Sequence, residues 1–192
     1  MIAALYVQTG GAYYGIEDVD PWDEARDARL YAGPWPVVAH PPCARWCRLA
    51  GMIEKRYGHA RGDDGGCFAA ALEAVRTYGG VLEHPARSEA WPAFNLPIPR
   101  RGGGWIGSLE DPGWSTWVDQ GFYAHALAKG TWLYAVGVPL PELRWGVSPA
   151  GRLPNRDPSM SATDRTRLTI PTPPAFRDVL IAMARSAERV PA

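Results

Sequence analysis

The apolar positions of this 192-residue chain fall in short blocks. Four of them, ALYV at 4–7, PVVAH at 36–40, GVLEH at 80–84 and TWLYAVG at 131–137, are rich in branched and aromatic side chains, and they predict buried strands. Between the second and third, CFAAALEAVRTYGG sets Phe68, Leu72, Val75 and Tyr78 at helical spacing, behind the capping candidates Asp63 and Asp64 and ahead of Gly79-Gly80. Strand, helix and strand in that order predict a βαβ crossover whose two strands lie adjacent and parallel.

Further along, WSTWVDQGFYAHALAKGTWLYAVG predicts a hairpin whose second arm is the stronger strand. The segment PTPPAFRDVLIAMARSAERV opens with prolines, which a first helical turn tolerates, and places Phe176, Leu180, Met183 and Ala187 on one face. It predicts a C-terminal helix packed on the sheet. The stretch from Trp91 to Gly113 is crowded with Pro and Gly and is expected to be an irregular insertion. The expectation is a single α/β domain over residues 1–192, Rossmann-like, with a mostly parallel sheet, an insertion at about 91–113 and a C-terminal helix.

Composition narrows the partners. With 46% hydrophobic residues and a formal net charge of zero, the chain is neither disordered nor a strongly basic nucleic-acid binder. All but Lys55 and Lys129 of its 20 basic residues are Arg, the better fork for phosphates and base edges. The odd cysteine count (Cys43, Cys47, Cys67) and an N-terminus without the basic and apolar regions of a secretory signal predict a reducing cytoplasm. No apolar stretch approaches the ~20 residues of a membrane span.

Chemistry concentrates where strands end. In open α/β sheets it sits beyond the carboxyl ends of the strands, and both HPPC (40–43) and EHP (83–85) follow predicted strands. Two prolines stop the strand and hold the next side chain, Cys43, with little freedom. A Cys thiolate is a strong nucleophile, and Glu83 on the neighbouring strand end can hold or protonate the group attacked. The bland reading is a small buried Cys43 and a Glu83 that caps or pairs with an Arg. His40, Cys43, Cys47, His59, Cys67 and His84 also offer zinc ligands, yet Cys43 and Cys47 have no second matching pair, so no metal is expected. A zinc deaminase is excluded, because no His precedes His40 to supply its H-x-E. Trp105, Trp114 and Trp117, near Arg100 and Arg101, either pack a loop or form a nucleic-acid surface, and Lys55 and His59 are expected to be solvated.

The ordered set of segments resembles the DNA cytosine-5 methyltransferases, particularly the short divergent members carried by phages and prophages. HPPC and EHP correspond to that family's PPC and E-N-P/E-N-V motifs, with His84 in place of the usual Asn. The segment DQGFYAHALAKGTWLYAVG supplies Gln120, Tyr123, His125, Lys129 and Thr131 in the order phage relatives carry, with Ala124 where they have Gly, and TDRTRLTIPTPPAF resembles the Arg-x-x-Thr-x-Pro lead into the last helix, with Arg167. The resemblance implies that Cys43 attacks C6 of a flipped cytosine while Glu83 contacts N3, activating C5 to accept a methyl group from S-adenosylmethionine. It implies DNA contacts at His40, Pro42, Arg45, His84, Gln120, His125, Lys129 and Arg167.

The cofactor half is expected to be reduced. Gly10 and Gly11, in the turn after the first strand, and Asp20, as a ribose acceptor, are the cofactor-binding candidates. Only about 25 residues separate Gly11 from the second strand, whereas each βαβ unit takes ~30. S-adenosylmethionine is therefore expected to bind weakly or to need a partner chain that completes its site. The competing class is a non-catalytic nucleic-acid-binding or metal-binding module on the same fold.

Overall fold

The computed structural model describes residues 1–47, 50–151, 161 and 171–187, the side chain of Ile53 excepted. Strands β1 (Ile2–Leu5), β2 (Val19–Trp22), β3 (Val37–Ala39), β4 (Gly80–Pro85), β5 (Ile106–Ser108), β6 (Asp111–Asp119) and β7 (Gly130–Val136) form one sheet in the order β2-β1-β3-β4-β7-β6-β5. The first four run parallel, and β7, β6 and β5 add antiparallel. The α/β class is as expected, but the sheet is mixed rather than mostly parallel, because the hairpin pairs through its second arm with β4.

Strands β1 and β3 are buried along their whole length, as covered parallel strands are. Their alternation divides the core. Ala3, Leu5, Val37, Ala39 and Leu82 face α2 (Cys67–Tyr78), while Ile2, Ala4, Val38 and Val81 face α4 (Pro174–Arg185). Helix α2 buries Phe68, Leu72 and Val75, and α4 buries Phe176, Leu180 and Met183, each such side chain contributing ~1.5–3 kcal/mol.

Asp64 starts α2 by accepting from the backbone N of Gly66 and Phe68 at 3.0 and 2.8 Å. Gly79 closes the helix, and Gly80 already belongs to β4. A Cβ on Gly80 would lie 2.0 Å from the Val37 carbonyl oxygen, so only glycine lets β4 start this close to β3. The two strands pair in parallel, Val37 opposite Gly80 and Ala39 opposite Leu82.

Several expectations are corrected. The first strand spans 2–5 rather than 4–7, because Tyr6 takes a left-handed φ of 59° that ends it. Strand β2 lacks an apolar signature and carries Pro21, which the edge position tolerates. Helix α1 (Ala50–Tyr57) follows the cysteines, with Lys55 and His59 exposed in and after it. The insertion is only partly irregular: it holds the short helix α3 (Ala90–Ala93), β5 and the start of β6. Among the described residues, the connections from β1 to β2 and from β2 to β3 hold no α-helix, only a 3-10 turn at Ala28–Leu30. Among the described residues, no helix is long and apolar enough to cross a membrane.

Candidate active site

From β1 the chain steps outward to β2 and then returns to the other side of β1 as β3, so the sheet order reverses between the carboxyl ends of β1 and β3. Such a switch point opens a crevice for ligands. His40 follows β3 there, Glu83 lies near the end of the adjacent β4, and the loop after β1 brings Tyr13.

These three form a buried chain of hydrogen bonds. His40 Nδ1 is 2.9 Å from Glu83 Oε2, and His40 Nε2 is 2.7 Å from the Tyr13 hydroxyl. The other carboxylate oxygen, Oε1, accepts from Gln120 Nε2 at 3.2 Å, and the same Nε2 donates to Thr131 Oγ1 at 2.8 Å. Burial raises the Glu83 pKa, but the His40 hydrogen bond and the charges of His40, Lys129 and His84 outweigh it, so the net shift is downward and the carboxylate is ionised. An ionised carboxylate only accepts, so His40 Nδ1 carries a proton. In neutral His40, Nε2 then accepts from Tyr13.

Cys43 is half-buried and free. Its thiol is pushed up first by burial, then by the charges of Glu83 and Cys47, while Lys129 pulls it down. Burial in turn lowers Lys129, against the pull of Glu83 and Cys43. Cys43, Glu83 and Lys129 thus share one electrostatic environment at the end of β4.

The remaining candidates separate. His84 points to the opposite face of β4, 1% exposed, stacked on Trp91 and edge-on to Phe68, with Nδ1 2.7 Å from Ser88 Oγ. Its Nε2 is buried with no hydrogen-bond partner among the described residues, and burial lowers its pKa to about 4. It supports the HPPC loop from beneath and is closed to a substrate. His125 is buried at the hairpin tip, with Nδ1 2.8 Å from the Leu127 carbonyl. Pro42 is exposed, Arg45 half-buried, and Arg167 lies outside the described residues.

The cofactor candidates do not build an adenosine cradle. Asp20 already accepts from Arg26 at 2.5 Å and from Trp22 Nε1 at 2.9 Å, so a ribose hydroxyl would have to share this carboxylate with both. A Cβ on Gly11 would meet the Gln8 carbonyl oxygen at 2.8 Å, so this glycine serves the turn itself. The Tyr13 side chain, bonded to His40, occupies space between the loop and the sheet. These residues do not fit S-adenosylmethionine. Among the described residues, no three His, Cys, Asp or Glu side chains converge as metal ligands.

Sequence reasoning missed Tyr13 and Asp119. The Asp119 carboxylate, 1% exposed, accepts from the backbone N of Gly121, Lys129 and Ser148 at 3.0, 2.9 and 3.1 Å, which holds the hairpin loop carrying Gln120 and Lys129. Its signal was an acid closing an apolar strand, a pattern shared with many surface turns. The chain matches no protein-family model, no curated protein and no solved structure.

Proposed function

We propose that this is a Rossmann-like protein of the DNA cytosine-5 methyltransferase type, which takes a flipped pyrimidine of DNA between Cys43 and Glu83. The observation that carries this reading is the parallel pairing of β3 with β4, which brings HPPC and EHP off one sheet edge with His40 bonded to Glu83. Hydrogen-bond accounting supports it. If the Gln120 amide were reversed, its oxygen would face the Glu83 carboxylate, so Nε2 must be the atom turned there. Gln120 Oε1 is then a buried acceptor that finds no partner among the described residues, beside an ionised carboxylate. A ligand edge bearing N–H groups, such as the amino side of cytosine, meets that deficit.

The chemistry this pair supports needs no bound donor. The Cys43 thiol gives its proton to solvent and Sγ bonds to C6; the C5=C6 electron pair moves to C5, which takes up a solvent proton. Loss of the original C5 proton to solvent and rupture of the Sγ–C6 bond restore base and thiol, so the net result is exchange of the C5 hydrogen. Glu83, ionised, accepts from the amino group of the base and so fixes its position for attack at C6. DNA labelled with tritium at cytosine C5 should release it with the wild-type protein and not with Cys43→Ser. Release should fall about a hundredfold in Glu83→Gln and persist in Cys47→Ser.

A second reading, a non-catalytic nucleic-acid-binding module, is favoured by one observation: burial and the Glu83 charge keep Cys43 a thiol at neutral pH. Wild-type protein that binds DNA and releases no tritium decides for it.

A further inference from the structure

Strand register sets Trp132 of β7 between His84 of β4 and Trp117 of β6, so these three side chains share the α2 face of the sheet, and Glu83 faces the other way. On that face lies a cleft of about 510 Å³, a volume typical of ligand sites, lined by both tryptophans and by Ala86, Gly130, Arg87 and Arg101. It is a different place from the Cys43 crevice.

The two tryptophans mark it as a site. Trp117 and Trp132 are 6% and 7% exposed, yet neither indole Nε1 donates a hydrogen bond among the described residues, whereas Trp22, Trp46, Trp91 and Trp105 each give theirs to an oxygen. A buried indole N–H ordinarily finds such a partner. Neither nitrogen is sealed off from solvent. Trp117 Nε1 lies over Gly130, where an added Cβ would stand 3.1 Å from it and 3.4 Å from the Ala86 Cβ. Gly130 does not have a positive φ, so space rather than backbone conformation favours glycine here, and its missing side chain leaves the floor of the cleft open beside the indole N–H.

The other polar groups have the same sense. Arg87 and Arg101 are exposed and form no hydrogen bond or ion pair among the described residues. The acid of the lining, Asp119, is 1% exposed and accepts from three backbone N–H groups. Every unengaged polar side chain of the lining is therefore a donor.

We propose that this cleft binds a small organic oxyanion, a carboxylate or phosphate ester carried on a flat apolar ring. The oxyanion accepts from the Trp117 indole N–H and from the guanidinium groups, and the ring packs against the tryptophans. A sugar or an amine would bring donors that meet no free acceptor side chain in this lining. The site stands apart from the proposed base chemistry, on the other face of the sheet.

The test is titration of the full ¹⁵N-labelled chain with phenyl phosphate and with benzoate, followed at the indole N–H signals in NMR spectra, those of the two tryptophans being assigned through Trp117→Phe and Trp132→Phe. The Trp117 and Trp132 signals should shift to saturation, while those of Trp22, Trp46, Trp91 and Trp105 stay in place and report that the fold is intact. Arg101→Ala, a surface change, should weaken binding about tenfold, and Trp117→Phe, which keeps a ring and loses the N–H, about fivefold. Gly130→Ala, which fills the floor, should also weaken it. A response to one of the two compounds alone upholds the proposal and names the oxyanion. No shift of the Trp117 signal with either compound overturns it, as does unchanged affinity in Arg101→Ala. An equal response to benzyl alcohol, which marks an apolar patch, or to inorganic phosphate, which marks a site for the bare ion, overturns it too.

Discussion

His40 Nδ1 stands 2.9 Å from Glu83 Oε2, so the loop that presents Cys43 is tied to the next strand through the carboxylate proposed to hold the base. Both oxygens of Glu83 have protein donors, one from each side of β4: His40 on the β3 side and Gln120 on the hairpin side. A buried carboxylate held this way is fixed in orientation and in charge. Any ligand it accepts must bring its own N–H groups to the lone pairs that remain.

Beneath the same loop, His84 should make stability pH-dependent. Its folded pKa is lowered from 6.5 to about 4 by burial, so as pH falls through 6.5 the unfolded chain takes up a proton that the folded chain refuses. Stability from this group is complete above the unfolded value, declines between 6.5 and about 4, and levels off below, for a loss of about 3 kcal/mol. Urea unfolding across that range should show the decline in wild type and a flatter profile in His84→Asn.

Cys43 should react slowly as a free thiol. Burial and the Glu83 and Cys47 charges raise its pKa above the usual 9.0, so alkylation by iodoacetamide, followed at this residue by mass spectrometry, should still be accelerating beyond that pH. Glu83→Gln removes one negative neighbour and should lower the pKa, so the rate below it should rise. Lys129→Met removes the opposing positive charge and should slow the reaction. Equal rates in all three proteins would mean that Glu83 and Lys129 do not act on the thiol.

The parts of this site that were legible in the sequence are those where backbone and chemistry coincide. HPPC and EHP each end an apolar run, and the helix between them is a single-crossover length, so the β3–β4 pairing followed from periodicity. The hairpin and the C-terminal helix were legible for the same reason. Strand β2 was not, because Pro21 and half-buried side chains give an edge strand no alternation to detect. Tyr13 reaches His40 across 27 residues from a loop, and nothing local marks such a contact. Motif position marks His84 as a substrate contact, whereas strand alternation turns it away from the side occupied by its neighbour Glu83.

Away from the site, Arg76 of α2 pairs with Asp111 of β6, whose Oδ1 also accepts from the Tyr134 hydroxyl at 2.7 Å and from Gly113 N at 2.8 Å. Asp111 is 9% exposed and Tyr134 fully buried. Asp111→Ala strands the hydroxyl and the backbone N–H, and should destabilise the fold by about 2–4 kcal/mol in denaturant unfolding. A loss under about 0.5 kcal/mol, the range of ordinary surface substitutions, would show that the network does not brace α2 against the sheet.

Titration calorimetry with S-adenosylmethionine should give no resolvable heat for the isolated chain, since Asp20 is held by Arg26 and Trp22 and the loop after β1 leads to no helix among the described residues. Binding that survives Asp20→Ala and disappears in Tyr13→Phe would place the cofactor against the His40 chain rather than at the glycine turn. Tight binding lost in Asp20→Ala would mean that the ribose displaces Arg26.

Gln120→Glu tests the charge on Glu83 directly. In wild type the Gln120 amide donates to Glu83 Oε1 and to Thr131; a second carboxylate in its place would face the first in a region with no water-exposed surface at residue 120. Two carboxylates so placed cannot both ionise, so one of them takes a folded pKa above its unfolded value. A carboxyl group raised in this way stabilises the fold relative to neutral pH only while protonated, and that stability is lost as pH rises through the folded value. The variant should therefore be less stable than wild type at neutral pH. The gap should narrow towards pH about 4, where the protonated carboxyl group at position 120 of the variant can donate to Glu83 as the amide did. The His84 titration is common to both proteins and cancels in the difference. A gap that stays constant from neutral to acid pH would show that Glu83 is not ionised beside residue 120, and with it the acceptor pair proposed to receive the base would be lost.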